Sequence, residues 1–338
     1  MIWIVCSAVK NERLYVFDPA ASWLTHTWPL PIDMNFNAIA LMGATGTGKS
    51  SLALRLAQQF GTSIICCDSM QVYRGLDIGT AKVTPEEQRL VPHFLLDCID
   101  LPQVCSAQWW ADAARAVIAS ENKQGRVPLI VGGTGLYLRA LLDGFADIPD
   151  AQPGVREHFE TMLAASGIEA LHQQLQQVDL ELAVRLHSTD TQRIMRGLCV
   201  FESTGVPLSE WQQRQPDPQQ AVDCAMFVLE KPREQLRHDI AVRFAAMMQA
   251  GFLDEVRWMM AQQLPDTHPV MRAVGYRQLM AHVRGECTLE AAVERGIIST
   301  RKYAKRQGTW FRNQAKQAEH GEAGILEIKM HNKLSSYD

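Results

Sequence analysis

Residues 38–50 read Ala38-Ile39-Ala40-Leu41-Met42-Gly43-Ala44-Thr45-Gly46-Thr47-Gly48-Lys49-Ser50. The first five form a short apolar run with the character of a buried strand. The next eight match G-x-x-x-x-G-K-[ST], a phosphate-binding loop when it lies between a strand and a helix. Glycines let successive backbone N–H groups converge on an anion, and a helix starting there adds the positive end of its dipole. Lys49 supplies a point charge for a terminal phosphate, and the Ser50 hydroxyl is a candidate ligand for Mg²⁺. The helix is legible too. Ala53, Leu56, Ala57 and Phe60 recur at i, i+3, i+4 and i+7, and Gly61 stands where a C-cap belongs.

Further along, residues 63–67 form a second strand-like run, 108–120 a helix, and 128–131 a third strand ending in Gly132-Gly133. Short buried strands alternating with helices predict an α/β fold, a parallel P-loop sheet flanked by helices. From 144 to 217 the chain turns polar, Gln-rich and helical. Pro216-Asp217-Pro218 then breaks it, and the apolar run 225–229 returns. A strand reappearing there predicts that 144–217 is a mostly helical domain inserted into a P-loop core of 34–143 and 218–314. Residues 233–314 read as helical, with Leu236, Ile240, Phe244 and Met247 in one apolar stripe. Residues 315–338 are polar and expected as a loose tail. Residues 1–33, with three prolines and Met34 just before the first strand, are expected to be a disordered extension, or translation starts at Met34.

The chain has 338 residues, 47% of them hydrophobic, which is ample for a buried core, and no run of 18 apolar residues that would span a membrane. Eight scattered cysteines without CxxC or zinc-ligand spacing read as reduced thiols of a cytoplasmic protein. The net charge of −4 argues against nucleic-acid binding only as an average. Residues 293–314 carry six Lys/Arg against one Glu, a local +5 that leaves −9 elsewhere.

A phosphate loop alone points to a nucleotide hydrolase or a kinase, which needs an acid at the end of a buried strand. Asp68 and Asp97 are candidates, Asp68 having the more polar loop, Ser69-Met70-Gln71-Val72-Tyr73-Arg74. The strand 129–131 ends instead in Gly132-Gly133-Thr134, without a carboxylate, and no Arg-rich lid follows it.

Taken together, eight strings resemble the tRNA dimethylallyltransferase family, in the family's order over about residues 38–314. They are the loop 43–50, Asp68-Ser69-Met70-Gln71-Val72-Tyr73, Gly75-Leu76-Asp77-Ile78-Gly79-Thr80-Ala81-Lys82, and Pro92-His93 with Leu95-Leu96-Asp97. The others are Val131-Gly132-Gly133-Thr134-Gly135-Leu136-Tyr137, Gln192-Arg193-Ile194-Met195-Arg196, Val274-Gly275-Tyr276-Arg277-Gln278 and Lys305-Arg306-Gln307-Gly308-Thr309-Trp310-Phe311-Arg312. The resemblance implies transfer of the dimethylallyl group of dimethylallyl diphosphate to N6 of the adenosine immediately 3′ of the anticodon. The loop would then hold a prenyl diphosphate, with Lys49, Ser50-bound Mg²⁺ and Thr134 neutralising the leaving group. Asp68 would accept or orient a proton of the N6 amine, the alternative being an Mg²⁺ ligand through water. Asp77, Asp97 and Asp100 read as caps or turn residues.

A stacked anticodon-loop base must be extruded before its amine can react. The resemblance makes Asp68, Ser69, Met70, Gln71, Thr134, Arg156, Gln192 to Arg196, Arg272, Ala273, Val274, Gly275, Tyr276, Arg277 and Lys305 to Arg312 the tRNA-binding positions. The insertion would clamp the anticodon stem-loop. On a helix Arg301, Lys305 and Arg312 line one side, with Ile297, Thr300, Ala304, Gln307 and Phe311 as a less polar seam. The loop has Thr47-Gly48-Lys49-Ser50 where many relatives have Ser-Gly-Lys-Thr, Gly135 replaces a larger residue, and Gly308 replaces a β-branched one. The zinc-finger pair of eukaryotic relatives is absent, as in a bacterial-type enzyme, and a monomer is expected. Alternative readings are an adenylate isopentenyltransferase acting on AMP, ADP or ATP, and a P-loop NTPase or kinase.

Overall fold

Strand β1, Ala38–Gly43, is buried at every residue, as an apolar run without polar alternation must be in a sheet covered on both faces. The computed structural model describes residues 36–144, 148–149, 151–214 and 222–335; the expectation for 1–33 lies outside the described residues. After β1 come α1 (Lys49–Gln59), β2 (Ile64–Cys67), α2 (Pro85–Leu90), β3 (His93–Phe94), α3 (Ala107–Lys123), β4 (Leu129–Gly132) and α4 (Gly135–Leu142). Helices α5 (Val155–Val178), α6 (Leu180–Arg185), α7 (Thr191–Thr204) and α8 (Leu208–Gln213) follow. The chain then returns as β5 (Cys224–Leu229), α9 (Arg233–Gln249), α10 (Phe252–Ala261), a 3₁₀ turn (Pro269–Arg272), α11 (Tyr276–Val283), α12 (Leu289–Gln314), β6 (Glu319–Gly321) and α13 (Ala323–Ser335).

The six strands form one parallel sheet in the order β3-β2-β4-β1-β5-β6. Its register aligns Met42 and Cys67 with Gly132, and Gly43 with Leu229. The loops leaving β1, β2, β4 and β5 therefore emerge together at the carboxyl edge, where parallel sheets bind ligands. Ile39, Leu41, Leu129, Val131, Phe227 and Leu229 alternate onto one face, where they meet Leu52 and Leu56 of α1. On α3 the buried Trp110 donates its indole N–H to the Cys66 carbonyl at 2.9 Å and stacks on Tyr137.

Residues 315–335 correct the expectation of a loose tail. Strand β6 pairs with β5, and Leu326, Met330 and Leu334 of α13 are buried in the core beside α1. Burying three such side chains contributes about 1.5–3 kcal/mol each, which outweighs the polar character of the remaining positions.

The chain divides into two units: the described residues up to Leu142 and from Val222 onward form one, and Asp143–Ala221 the other. The second is helical, its α5 interrupted at Gly167, and it is built around Phe159, Leu171, Leu175, Leu182, Ile194 and Leu198. Buried Asp179 caps α6 by accepting from the Leu182 amide, and holds α8 by accepting from the Ser209 amide and hydroxyl. Gln192, Arg193 and Arg196 are exposed on α7, and Arg156 is exposed on α5, 2.9 Å from Glu160. Ile194 and Met195 belong to this unit's core, which corrects their placement among RNA contacts: two apolar residues inside an amphipathic helix face inward.

Candidate active site

The phosphate loop leaves β1 with Gly46 and Gly48 at φ +85° and +96°, backbone that L side chains rarely adopt. The Thr47 hydroxyl donates to the Ala44 carbonyl at 2.9 Å, and Lys49 Nζ donates to the same oxygen at 2.8 Å. Burial, reinforced by the nearby Arg243 guanidinium, lowers the Lys49 pKa to about 8. Two cations forced together in a half-buried place favour an anion between them. Ser50 is exposed at the start of α1.

A cavity of about 360 Å³ lies over this loop. Thr45, Gly46, Lys49 and Ser50 line it together with Asp68, Met70 and Gln71 from the loop after β2 and Gly133 from the turn after β4. Asp68 Oδ1 accepts from the Met70 amide at 2.9 Å and the Gln71 amide at 3.4 Å, which fixes the carboxylate. Ile240, Phe244 and Met247 of α9 supply an apolar wall, and Phe252, Val274 and Tyr276 extend it. Tyr303 and Arg306 of α12 complete the lining. Burial and the Asp68 charge push the Tyr303 phenol up, so it stays a neutral donor.

Arg243 was missed in the sequence. Its side chain lines the cavity between Ile240 and Met247, and burial lowers its pKa while Asp68 opposes that shift. The signal was there: Arg243 lies three residues after Ile240 and four before Met247, a cation on an apolar stripe.

Thr134 follows Gly133, which Gln307 bridges to the phosphate loop. Its hydroxyl accepts from the Ser69 amide at 3.0 Å, and its own amide donates to the Cys67 carbonyl at 3.2 Å. It ties the turn after β4 to the Asp68 loop. Asp77 and Asp97 both pair at 2.6 Å with the buried ammonium of Lys82, and Asp100 pairs with Arg74 at 2.7 Å. The Cys66 and Cys67 thiols are pushed well up by burial, which removes them as nucleophiles.

Three aromatic or amide positions expected to meet RNA are turned inward. Gln307 is buried, its Oε1 accepting from the Thr45 amide at 2.9 Å and its Nε2 donating to the Gly133 carbonyl at 2.9 Å. It clamps the phosphate loop to the β4 turn. Phe311 is a core residue, because it falls on the same inner face of α12 as Ala304 and Gln307. Tyr276 is 1% exposed, its ring edge-on to Phe252 and its hydroxyl spent on Glu255, so it meets the cavity as part of a packed wall and not as a surface aromatic. Arg272 and Arg277 beside it are exposed, Ala273 and Gly275 are buried, and Arg272, Ala273 and Val274 line the cavity.

The outer face of α12 presents Lys302, Lys305, Arg306, Thr309, Trp310 and Asn313 around a shallow open groove. Arg301 donates to the Arg237 carbonyl and Arg312 lies 3.9 Å from Glu230, while Lys305, expected on their side, lines the groove with Lys302 and Arg306. Trp310 packs on Gly135, where an added Cβ would lie 2.4 Å from the indole; that explains the small residue at 135. A Cβ at Gly308 would meet only the Arg312 guanidinium, at an ordinary 3.7 Å, so no contact demands glycine there. No helix of the described residues is long and apolar enough to cross a membrane.

Comparison with known proteins matches residues 71–314 to the IPP transferase family model. A tRNA dimethylallyltransferase of Halorhodospira halophila is 42% identical over 304 residues, 89% of this chain and 98% of that one. A tRNA dimethylallyltransferase of Rhodopseudomonas palustris is 45% identical over 278 residues, 82% of this chain and 87% of that one. Among solved structures, the tRNA isopentenylpyrophosphate transferase of Bacillus halodurans superposes with a TM-score of 0.64 at 32% identity, over 89% of this chain and 96% of that one. A eukaryotic dimethylallyltransferase acting on tRNA gives 0.72 at 25% identity, over 85% of this chain and 73% of that one.

Proposed function

The chain belongs to the IPP transferase family, and from that premise we propose that it transfers the dimethylallyl group of dimethylallyl diphosphate to N6 of the adenosine 3′ of a tRNA anticodon. The observation that carries this is a cavity in which a cationic phosphate loop, an apolar wall and a fixed carboxylate meet. The diphosphate sits against the loop amides, Lys49 and Arg243, and the five-carbon chain lies along Ile240, Phe244 and Met247. The N6 nitrogen attacks C1, the C1–O bond breaks, and its electron pair leaves with the diphosphate, where the two cations stabilise the growing charge. The proton shed by N6 passes to Asp68. Tyr303 donates to whatever acceptor stands beside Asp68 and helps hold the extruded base.

Among the described residues no cluster of three or more His, Cys, Asp or Glu forms a metal cage. The cavity does hold the Ser50 hydroxyl and the Asp68 carboxylate, oxygen donors that suit Mg²⁺, which keeps its waters and binds through substrate phosphates and one or two protein oxygens. The exposed Ser50 hydroxyl would hold it, and the ion would supply further charge neutralisation at the diphosphate. Lys302, Lys305 and Arg306 hold tRNA phosphates beside Trp310, and the exposed Arg156, Arg193 and Arg196 do the same on the inserted unit. The reading places a monomer in the cytoplasm, in keeping with the free cysteines among the described residues.

The test is mass spectrometry of tRNA nucleosides after incubation with labelled dimethylallyl diphosphate and, separately, with ATP. Labelled N6-prenyladenosine in tRNA with no ATP consumed is expected. Label on free adenosine phosphates instead, or ATP cleavage proportional to product, overturns the reading.

A further inference from the structure

We propose that Glu255, which lines no part of the cavity, positions its acceptor side; the inference rests on the prenyl-transfer reading above. Glu255 lies in the first turn of α10. Its Oε2 accepts from the Asp77 amide at 2.8 Å and the Ile78 amide at 2.7 Å, and its Oε1 accepts from the Gly79 amide at 2.9 Å and the Tyr276 hydroxyl at 2.5 Å. Three successive amides converging on one point make an anion nest. Here the anion is a carboxylate of the same chain, brought from 176 to 178 residues away.

The clip is closed from above. A Cβ at Gly79 would lie 2.1 Å from the Phe252 ring and 2.7 Å from the Tyr276 ring, so only glycine lets the turn seat there. The next carbonyls, of Thr80 and Ala81, take the Gln71 side-chain amide at 3.0 and 3.4 Å. The Gln71 backbone amide in turn reaches Asp68 Oδ1. Gly79, Thr80, Ala81, Gln71 and Asp68 all line the cavity. From Glu255 to the carboxylate assigned to the acceptor amine, the chain of contacts is unbroken. The phosphate loop is held separately, through Gln307. Loss of the Glu255 clip therefore loosens the acceptor wall and spares the diphosphate site.

Glu255→Gln tests this, because the isosteric amide keeps one acceptor and turns an N–H₂ toward amide donors. Misplacement at a distance from the chemistry costs on the order of 10–100-fold. The expected result is that loss in kcat for tRNA prenylation, with the KM for dimethylallyl diphosphate and the Kd for inorganic diphosphate held within about twofold. Tyr276→Phe removes one donor of the four and should show a smaller kcat loss with the same split. Unchanged kcat in Glu255→Gln, or kcat and diphosphate affinity falling together with the folded fraction, overturns the positioning role. Should Glu255→Gln not fold, an unchanged kcat in Tyr276→Phe overturns it. Absence of transfer by the wild-type chain would sink the prenyl-transfer reading itself, which keeps the two failures distinct.

Discussion

The loop after β1 and the loop after β2 stand side by side at one sheet edge, yet they are held in opposite ways. In the first, glycine backbone, the Thr47 hydroxyl and the Lys49 ammonium organise the turn from within eight residues, and Gln307 adds a distant tie at the Thr45 amide. In the second, Asp68 is fixed locally, but the wall beyond it depends on Glu255, Lys82 and Tyr276. A loop that shapes itself can be recognised as a string. A loop shaped by distant partners keeps its residues in plain sight and hides the reason for them.

The sharpest way to break this comparison is to remove one group from each loop. Asp68→Ala should lower single-turnover prenyl transfer by about 10²–10⁴-fold and leave tRNA retention on filters unchanged. Lys49→Ala should cost about 10²–10³-fold and also weaken binding of inorganic diphosphate, which Asp68→Ala spares. If the two variants exchange these signatures, the division into donor and acceptor loops is wrong.

The pH dependence sharpens the donor side. Lys49 carries its charge below about pH 8 and loses it as pH rises through that value, so diphosphate affinity measured by calorimetry should fall above pH 8. The sign for folding is opposite. Between about 8 and the ordinary lysine value the unfolded chain binds more protons, so this group makes the ligand-free protein more stable as pH rises. An affinity flat from pH 7 to 9.5 would remove Lys49 from the anion site.

A smaller effect is expected away from both loops. Replacing Lys302 and Lys305 together by Ala should lower the slope of log tRNA affinity against log salt by about 1–2 units, at roughly 0.7–0.9 per lost phosphate contact. Diphosphate binding should be unaffected, and an unchanged slope would make this face merely solvated. Smallest is Gly308→Ala, which meets only the Arg312 guanidinium at 3.7 Å and should stabilise α12 by about 0.5–1 kcal/mol, read as a rise in thermal midpoint without change in kcat.

The parallel sheet, the turn of the phosphate loop and the run of helices between β4 and β5 were legible because local patterns specify them. The tail was misread although Leu326, Met330 and Leu334 recur every fourth residue, since overall polarity was weighed above periodicity. Arg243 was legible in principle, as a cation on an apolar stripe. Gln307 and Tyr276 stand in motifs whose strings do not say which face of the helix is buried, so their inward hydrogen bonds had no local signal. Glu255 had no local signal at all; its partners become neighbours only when α10 packs on the loop after β2.

Helix α12 works as a rod of fixed phase. Its inner face delivers the Gln307 amide to two loops, and its outer face carries Lys302, Lys305, Arg306 and Trp310. Deleting one residue anywhere between its start and position 306 would turn everything downstream by about 100°. Gly308 would then arrive where Gln307 stood, with nothing to offer either loop, and the cation row would swing away from its groove. Single-residue insertions and deletions within 289–306 should therefore be far less tolerated than point substitutions on the same stretch, a constraint on length rather than on residue identity.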